Sequence, residues 1–314
     1  MPAHDDLRSL ITPGLLNFIV DAKIPHSRTE PLDFAEVTRS MSGSDFSEKL
    51  QSTTARDALI VISQMAPNGK MPSATDLDLM SFLPPPESPE FPKQCLGLQL
   101  LLDQASRVLF GGVDGRWQSA LFGPLARRLV GQWLALPAEQ RPETWTRWRD
   151  DAGVSSFDYW LVSRLVWIAP ISHDEDLESQ RIALELTEET RSMVEDRFGV
   201  KDPYRATREE LLKDTLAFLR EMPKGVPPKA TDGSTDRATW MFWWCMILDA
   251  HWPIIERFGR YPYRNAILGR QSTEEEKQWL DATSHVAEAP PDVAEAIKRD
   301  IARGIWTPFG QGGQ

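Results

Sequence analysis

The sequence predicts an all-α protein, and three observations carry this prediction. Apolar residues recur at spacings of three and four over most of the chain after residue 93. Helix-start signals precede several of these segments, as where Thr273 stands before Glu274 and two further glutamates. Alternating runs of β-branched residues between turns, which indicate strands, are almost absent. We therefore expect a single domain of packed antiparallel helices over residues 1–314.

The individual helices are predicted from the same periodicity. The first ninety residues are the least regular, and within them a helix is expected at residues 50–65. From residue 93 a helix of about four turns repeats its leucines, among them Leu98, Leu101 and Leu102, at helical spacing. Further helices are expected at residues 116–136, 157–168, 174–198, 207–221, 237–257, 273–287 and 291–303.

Two segments rich in helix breakers separate these elements. Residues 66–92 hold seven prolines, which remove backbone donors and disfavour the helical conformation in the residue before them. We expect this segment to be an extended surface loop or a lid over a site. Residues 222–236 hold three prolines and two glycines, and they are predicted to be a loop between helices of the same domain.

The composition excludes several classes of protein. The formal net charge is −11, which argues against a nucleic-acid partner, because such proteins concentrate lysine and arginine. Two cysteines cannot form a disulfide framework, so both are expected to be reduced thiols of a cytoplasmic protein. No signal peptide is visible, and the most apolar run, residues 240–249, is far shorter than the roughly 20 residues that span a bilayer.

Tryptophan is unusually abundant. All 12 tryptophans lie after residue 110, with the densest group at residues 240–252. The large apolar ring and single donor of tryptophan suit helix packing and an aromatic ligand pocket equally well. Core packing is the better interpretation for most of them, and a tryptophan-rich pocket near Trp244 is the alternative.

Two segments carry charged residues among apolar neighbours. Asp103 and Arg107 lie four residues apart on one predicted helix, where they form either an internal salt bridge or a ligand contact. His173 stands just before a predicted helix start and is followed by Asp174 and Glu175, whose charges favour the imidazolium form. These residues are candidates for proton transfer.

A third segment reverses the sign of the charge. Residues 257–270 contain four arginines and no acid, although the whole chain is acidic. Guanidinium groups bind carboxylate or phosphate through paired donors, so this turn-rich segment is a candidate anion site. The equal alternative is that the arginines pair with the protein's own surplus acids, among them Asp103, Glu175 and Asp249.

The three segments together carry a recognisable set of motifs. They hold, in order, Asp103, Gln104 and Arg107; Pro170, His173, Glu175, Asp176 and Gln180; and His251, Arg257, Phe258, Gly259, Arg260, Pro262, Arg264, Asn265, Leu268, Gly269, Arg270, Thr273, Glu275 and Glu276. Over roughly residues 95–283 the chain resembles the helical family catalogued as domain of unknown function 924, which is placed among TPR-like folds. The resemblance implies an all-helical, TPR-like fold and a shared site, and it implies no particular reaction.

The chain departs from the family at three positions. The family usually has Asn and Arg near the positions of Val108 and Gly111, and His at the position of Tyr263. If the family's polar residues line one pocket, the resemblance implies that this chain has a more apolar pocket with one fewer titratable base.

The function predicted from these observations is a cofactor-independent enzyme acting on a hydrophobic small metabolite that bears a carbonyl or carboxylate. A cyclisation or isomerisation, including a pericyclic one of specialised metabolism, needs mainly a shaped apolar cavity and one well-placed donor, and it leaves no motif. His173, Asp103 and Glu175 are the expected catalytic residues. The expected substrate-binding residues are Arg107, Trp244, His251, Arg260, Tyr263, Arg264 and Asn265.

Two other functions remain open. TPR-like folds commonly present a helical groove to peptides, which would make the chain a binding module with an exposed basic groove and no enclosed pocket. Metal-assisted hydrolysis by His173, Glu175, Asp103 and His251 ranks lower, since no ligand pair has metallohydrolase spacing; neither a metal nor a cofactor is expected. The alternatives differ in whether Asp103, His173, His251 and Arg264 meet at one cavity.

Overall fold

The computed structural model describes residues 2–41, 45–65, 77–151, 156–227 and 235–312. Throughout these ranges the regular secondary structure is helical and no strand is present, which confirms the all-α prediction. None of the helices in these ranges is both long and apolar enough to cross a bilayer.

The α-helices are named here in chain order. They are α1 (Pro2–Leu10), α2 (Pro13–Lys23), α3 (Phe34–Met41), α4 (Asp45–Gln51), α5 (Ala55–Gln64), α6 (Phe91–Leu100), α7 (Ser106–Leu109), α8 (Gly115–Trp117), α9 (Gly123–Leu134), α10 (Phe157–Ser172), α11 (Leu177–Phe198), α12 (Arg208–Leu211), α13 (Ala217–Glu221), α14 (Arg237–Asp249), α15 (Trp252–Phe258), α16 (Asn265–Leu268), α17 (Glu274–Ala282) and α18 (Pro291–Ala302). Short 3₁₀ helices lie at Leu79–Phe82, Gly112–Asp114, Ala138–Gln140, Pro203–Thr207, Met222–Lys224 and Pro262–Arg264.

Two π-helical segments interrupt otherwise continuous helices. Leu101–Ala105 joins α6 to α7, and Gln118–Phe122 joins α8 to α9. A π-helical turn widens the helix locally, and such turns are frequent at functional sites. The first of them carries Asp103 and therefore sets the direction of its carboxylate.

Several predicted helices are shorter or divided in the structure. The predicted helix 237–257 ends at Asp249 and restarts at Trp252, because Pro253 in the first turn of α15 has no backbone N–H to continue α14. His251 lies at this junction. The predicted helix 207–221 is likewise divided into α12 and α13, with a turn between them.

The connection between α10 and α11 is a tight turn. Helix α10 extends four residues beyond the predicted 168, with Pro170 inside it, and His173 forms its C-cap. Helix α11 begins at Leu177, where the Asp176 carboxylate accepts a hydrogen bond of 2.9 Å from the backbone N–H of Ser179. Capping at both ends therefore holds His173 at a defined place between two long helices.

The predicted loops are only partly within the described ranges. Of residues 66–92, positions 66–76 lie outside them; the remainder contains the 3₁₀ helix Leu79–Phe82 and the start of α6 at Phe91. Residues 222–236 lie between α13 and α14, with 228–234 outside the described ranges.

The core joins the N-terminal helices to the rest of the chain. Helix α2 packs against α6, and Gly97 of α6 lies so close that a Cβ there would be 2.2 Å from the backbone oxygen of Leu16. Helix α14 packs against α10 and α11. The fully buried tryptophans are Trp133, Trp148, Trp160, Trp167 and Trp240.

A buried ion network fastens α11 to its neighbours. The Arg191 guanidinium is within 2.7 Å of both the Asp202 and the Asp249 carboxylates, and all three side chains are fully buried. Asp249 also accepts a hydrogen bond of 2.7 Å from Arg208. Since a buried charge is costly without a partner, this network ties α14, and with it the junction at His251, to α11.

Candidate functional site

A cavity of about 290 Å³ lies between the N-terminal helices α2 and α3 and the later helices α10 and α14. We call it the apolar cavity, because its walls are mostly aliphatic and aromatic side chains. Its lining residues are Lys23, Met41, Gln104, Arg107, Leu165, Val166, Ala169, His173, Phe218, Met222, Trp244, Ile247, Leu248 and His251. Its size falls near the lower end of the range typical of small-molecule pockets.

The polar edge of this cavity is built around Asp103. The side chain of Asp103 is 2% exposed, and its Oδ1 lies 3.1 Å from Nδ1 of His173 and 3.3 Å from Nη2 of Arg107. Arg107 Nε also donates a hydrogen bond of 2.9 Å to the backbone oxygen of Asp103, and Gln104 donates to its Oδ2. We call these four residues the Asp103 cluster.

The charge states within the Asp103 cluster follow from burial and from the neighbouring charges. Burial alone would raise the pKa of Asp103, but the charges and hydrogen bonds of His173, Arg107 and Gln104 hold it well below its ordinary value. Burial lowers the pKa of His173 below 6.5, against the opposing effect of Asp103, and Arg107 lowers it further. At neutral pH the cluster therefore contains a carboxylate and a neutral imidazole.

The neutral imidazole has a defined tautomer in this arrangement. Because the Asp103 carboxylate only accepts hydrogen bonds, Nδ1 of His173 carries the proton and donates it to Oδ1. Nε2 of His173 is then an unprotonated acceptor, and it makes no hydrogen bond to any residue in the described part of the chain. About a quarter of the side chain is exposed. A carboxylate that orients a histidine with a free Nε2 is the arrangement of a general base.

His251 is a second neutral histidine at the apolar cavity. Its Nδ1 lies 3.0 Å and 3.2 Å from the backbone oxygens of Ile247 and Leu248, so it donates to them and Nε2 is unprotonated. Burial, with a contribution from His173, lowers the pKa of His251 to about 3. The two imidazole ring centroids are 6.2 Å apart.

A smaller cavity of about 120 Å³ lies on the other side of Arg107 and His173. We call it the polar cavity. It is lined by Arg107, Gln118, Ser119, Gly123, Pro124, Pro170, His173, Asp174, Glu175 and Arg264. Arg107 and His173 line both cavities and form the wall between them.

Glu175 lies at the polar cavity and is already paired. Arg270 donates hydrogen bonds of 2.6 Å and 3.0 Å to its carboxylate, and the backbone N–H of Tyr261 donates another of 3.0 Å. Burial alone would raise the pKa of Glu175, but Arg270 and Arg264 lower it below its ordinary value. The residue is thus an ionised anchor for the arginine segment.

The arginines of segment 257–270 all have internal partners. Arg264 donates a hydrogen bond of 2.8 Å to the backbone oxygen of His173 and lies over the Tyr261 ring. Arg260 binds both oxygens of Glu276 at 2.6 Å and 2.8 Å and lines neither cavity. Arg257 and Arg270 pair with Glu275 and Glu175. These contacts match the alternative that the arginines pair with the protein's own acids. Arg264 is the arginine of this segment that lines a cavity, the polar one.

The remaining expected residues have separate environments. Trp244 lines the apolar cavity, and its Nε1 makes no hydrogen bond within the described ranges. Among the described lining residues it is a single tryptophan, so the wall is mainly aliphatic rather than tryptophan-rich. The Tyr263 ring stacks on Tyr261 with centroids 5.3 Å apart, outside both cavities. Asn265 is buried and donates to Ser272, also outside them.

The three departures from the family pattern lie away from these cavities. Val108 is 41% exposed, Gly111 is exposed, and neither they nor Tyr263 line the apolar or the polar cavity. Their positions therefore do not support the expectation that these replacements make the pocket more apolar.

Sequence reasoning missed several lining residues. Lys23 and Met41 come from the irregular N-terminal part, and Phe218 and Met222 come from the region of the divided helix. Lys23 offered one signal, a lysine at the end of an apolar helical run, but such a residue is also an ordinary helix C-terminus. Gln104 was part of the recognised motif without being expected at the site.

Metal-assisted hydrolysis would require a set of metal ligands, and the described ranges contain none. No group of three or more His, Cys, Asp or Glu side chains there is arranged to hold an ion. His173 and His251 instead use Nδ1 for hydrogen bonds to a carboxylate and to backbone oxygens.

The fold and the site define an all-α protein with an apolar cavity edged by a buried carboxylate–histidine pair. The chain belongs to the family described as "Bacterial protein of unknown function (DUF924)", whose model matches residues 85–284. The match contains the Asp103 cluster and His251 and leaves Lys23 outside. A search of curated proteins and a search of solved structures each returned no match.

Proposed function

We propose that this chain is a cofactor-independent enzyme that moves a proton on a small, mostly apolar metabolite bearing a carbonyl or carboxylate, as an isomerase or cyclase does. The observation that carries the proposal is the contact between Asp103 and His173 at the wall of the apolar cavity. It leaves the Nε2 of a neutral imidazole free to accept a proton.

The chemistry follows from the properties of this pair. Nε2 of His173 removes a proton from a carbon next to the substrate carbonyl, and the electrons of the C–H bond move into an enolate. Asp103 stabilises the imidazolium that forms, and the Arg107 guanidinium offers positive charge to the enolate oxygen. Return of the proton to a different carbon completes an isomerisation without gain or loss of atoms. A positioned general base of this kind contributes roughly 10²–10⁴-fold in rate.

The cavity walls support an apolar substrate. Leu165, Val166, Ile247 and Leu248 present aliphatic surface, and His251 is held neutral by burial. An apolar site strengthens electrostatic interactions with the reacting group, because it replaces water around it. The same walls would favour a folded conformer of a flexible substrate, which is what a cyclisation requires.

A cytoplasmic location forms part of this proposal. Cys95 and Cys245 are free, buried thiols, which is compatible with a reducing compartment. A TPR-like packing of the helices, implied by the family resemblance, would place the cavity between neighbouring helical hairpins.

The proposal is tested by hydrogen exchange on a panel of medium-chain 2-oxo and 3-oxo carboxylates in D₂O. Mass spectrometry follows deuterium incorporation next to the carbonyl for the wild type, His173→Gln and the matched control His285→Gln, which changes an exposed histidine. We expect stereospecific exchange with the wild type and the control, and a loss of at least about a hundredfold in His173→Gln. No exchange by the wild type contradicts the proposal and favours the peptide-binding alternative. Equal exchange by His173→Gln contradicts the role of His173 as the base.

A further inference from the structure

The charges around the apolar cavity do not balance. Two cationic side chains, Lys23 and Arg107, line it, and no carboxylate does so among the described residues. Asp103 lies behind the wall, where it is paired with Arg107 and bonded to His173. Because both lining histidines are neutral at neutral pH, one positive charge, that of Lys23, is left over at the cavity.

Lys23 has few partners of its own. It ends α2, and its ammonium donates one long hydrogen bond of 3.4 Å to the backbone oxygen of Met41. The ammonium also lies 5.3 Å from the centroid of the Phe46 ring. Within the described ranges no carboxylate oxygen is within ion-pair distance of it. An ammonium has three donors, and the described residues accept from one of them, which leaves two for a ligand within this part of the chain.

The surroundings of Lys23 are unfavourable to an unpaired charge. Burial lowers the pKa of Lys23, and the carboxylate that opposes this effect, Asp103, acts only at longer range. Removing an ammonium from water costs free energy unless another charge or acceptor replaces the solvent. A ligand anion in the apolar cavity would supply that partner.

We propose that Lys23 binds the carboxylate of an amphiphilic carboxylic acid whose hydrocarbon part fills the apolar cavity. This inference rests on the proposed function, whose substrate class it narrows from a carbonyl or carboxylate compound to an apolar carboxylate. The ammonium binds the head group, the aliphatic wall holds the tail, and the Asp103 cluster faces the part of the ligand between them.

The position of Lys23 in the chain makes it a specificity-determining residue. It lies outside residues 85–284, which match the family, whereas Arg107 and His173 lie inside them. Helix α2 is held against α6 by the close approach at Gly97, so Lys23 has a defined place relative to the Asp103 cluster. The family-matched part thus supplies the proton-transfer pair, and the N-terminal part supplies head-group recognition.

Isothermal titration calorimetry at pH 7 with octanoate and its neutral analogue octanamide tests this inference. The variants are Lys23→Met, which keeps an unbranched side chain without the ammonium, Lys23→Arg, which keeps its charge, and the control Lys93→Met, which removes a lysine paired with Asp21. A fourth variant, Ala169→Phe, fills the apolar cavity. Circular dichroism melts verify that each variant folds.

We expect the wild type to bind octanoate more tightly than octanamide. Lys23→Met should weaken octanoate binding by about tenfold or more, the usual effect of a charge-assisted hydrogen bond, and leave octanamide unchanged. Lys23→Arg should retain most of the preference, Lys93→Met all of it, and Ala169→Phe should lose both ligands.

Three outcomes overturn the inference, and they are distinguishable. Equal binding of octanoate and octanamide by the wild type, or equal weakening of both by Lys23→Met, shows that Lys23 does not recognise the carboxylate, while the apolar cavity remains a binding site. Unchanged binding in Ala169→Phe places the ligands elsewhere. If the wild type binds neither compound, the result also contradicts the proposed function, in which the apolar cavity binds a small metabolite.

Discussion

Replacing Asp103 by Asn tests the electrostatic design of the site. The substitution keeps the size of the side chain and one oxygen that accepts from Nδ1 of His173, but it removes the negative charge. Arg107 then loses its ion-pair partner at 3.3 Å. Asp103 also raises the pKa of His173, so its removal should lower that pKa further.

The magnitude follows from the geometry. Two unit charges 3.3 Å apart attract by about 5 kcal/mol at an effective dielectric constant of about 20. Desolvation of the buried carboxylate offsets most of this, and Arg107, whose side chain is 35% exposed, regains water when its partner is lost. We therefore expect Asp103→Asn to lower the free energy of unfolding by about 1–3 kcal/mol at pH 7.

The pH dependence has a definite sign. The folded-state pKa of Asp103 is lower than the ordinary value of 3.8, so its contribution to stability is complete above that value and declines as the pH falls below it. The difference between the wild type and Asp103→Asn should thus be constant above pH 7 and shrink below pH 3.8. Between these limits it should widen below pH 6.5, because His173 binds its proton at a lower pH in Asp103→Asn.

Urea unfolding followed by fluorescence at several pH values measures this difference. Equal stabilities at pH 7 would mean that the carboxylate contributes nothing, and a difference that does not shrink below pH 3.8 would mean that the folded-state pKa of Asp103 is not lowered. Either result refutes the assigned charge states.

Three further predictions concern the frame of the site. Burial holds His251 neutral in the folded protein by lowering its pKa to about 3. Below pH 6.5 the unfolded chain therefore binds one more proton than the folded protein, and this residue should lower the stability by about 1.4 kcal/mol per pH unit. His251→Asn should remove that part of the slope in acid titrations. Gly97→Ala should cost more than about 2 kcal/mol in urea unfolding, because its Cβ would strike the Leu16 backbone oxygen. Gly131→Ala should instead stabilise by about 0.5–1 kcal/mol, because its Cβ would make only an ordinary contact of 3.7 Å with the Arg127 side chain. Arg191→Met should cost about 3–5 kcal/mol in the same assay, since it removes the ion-pair partner of buried Asp202 and leaves buried Asp249 with Arg208 alone; a loss under 1 kcal/mol would contradict the buried network.

The all-α architecture was predictable because helical periodicity is a local signal. Each apolar stripe and each cap, such as Thr273 with Glu276, is contained within a few neighbouring residues. The break at His251 was harder to predict, since apolar periodicity runs through it and only Pro253 marks the restart of the helix. Pro170 shows the converse, because it lies inside α10 without ending it.

The candidate site was predictable only where its residues lie close in sequence or share a motif. Asp103 and His173 were both singled out, but their contact joins positions 70 residues apart, which spacing cannot reveal. The partners of Arg260 and Arg264 depend on how α17 and the turn after α10 pack. Lys23 reaches the apolar cavity only because α2 packs on α6, a tertiary contact with no sequence pattern of its own.

The protonation state of His173 is the most direct test of the account, and ¹⁵N NMR of histidine-labelled protein measures it. The signals are assigned by their absence in His173→Gln. We predict a neutral imidazole at pH 7 with its proton on Nδ1, an unprotonated Nε2, and a transition below pH 6.5 that moves lower still in Asp103→Asn. An imidazolium at pH 7, or a proton on Nε2, would contradict the claim that the Asp103–His173 pair supplies a free base at the apolar cavity.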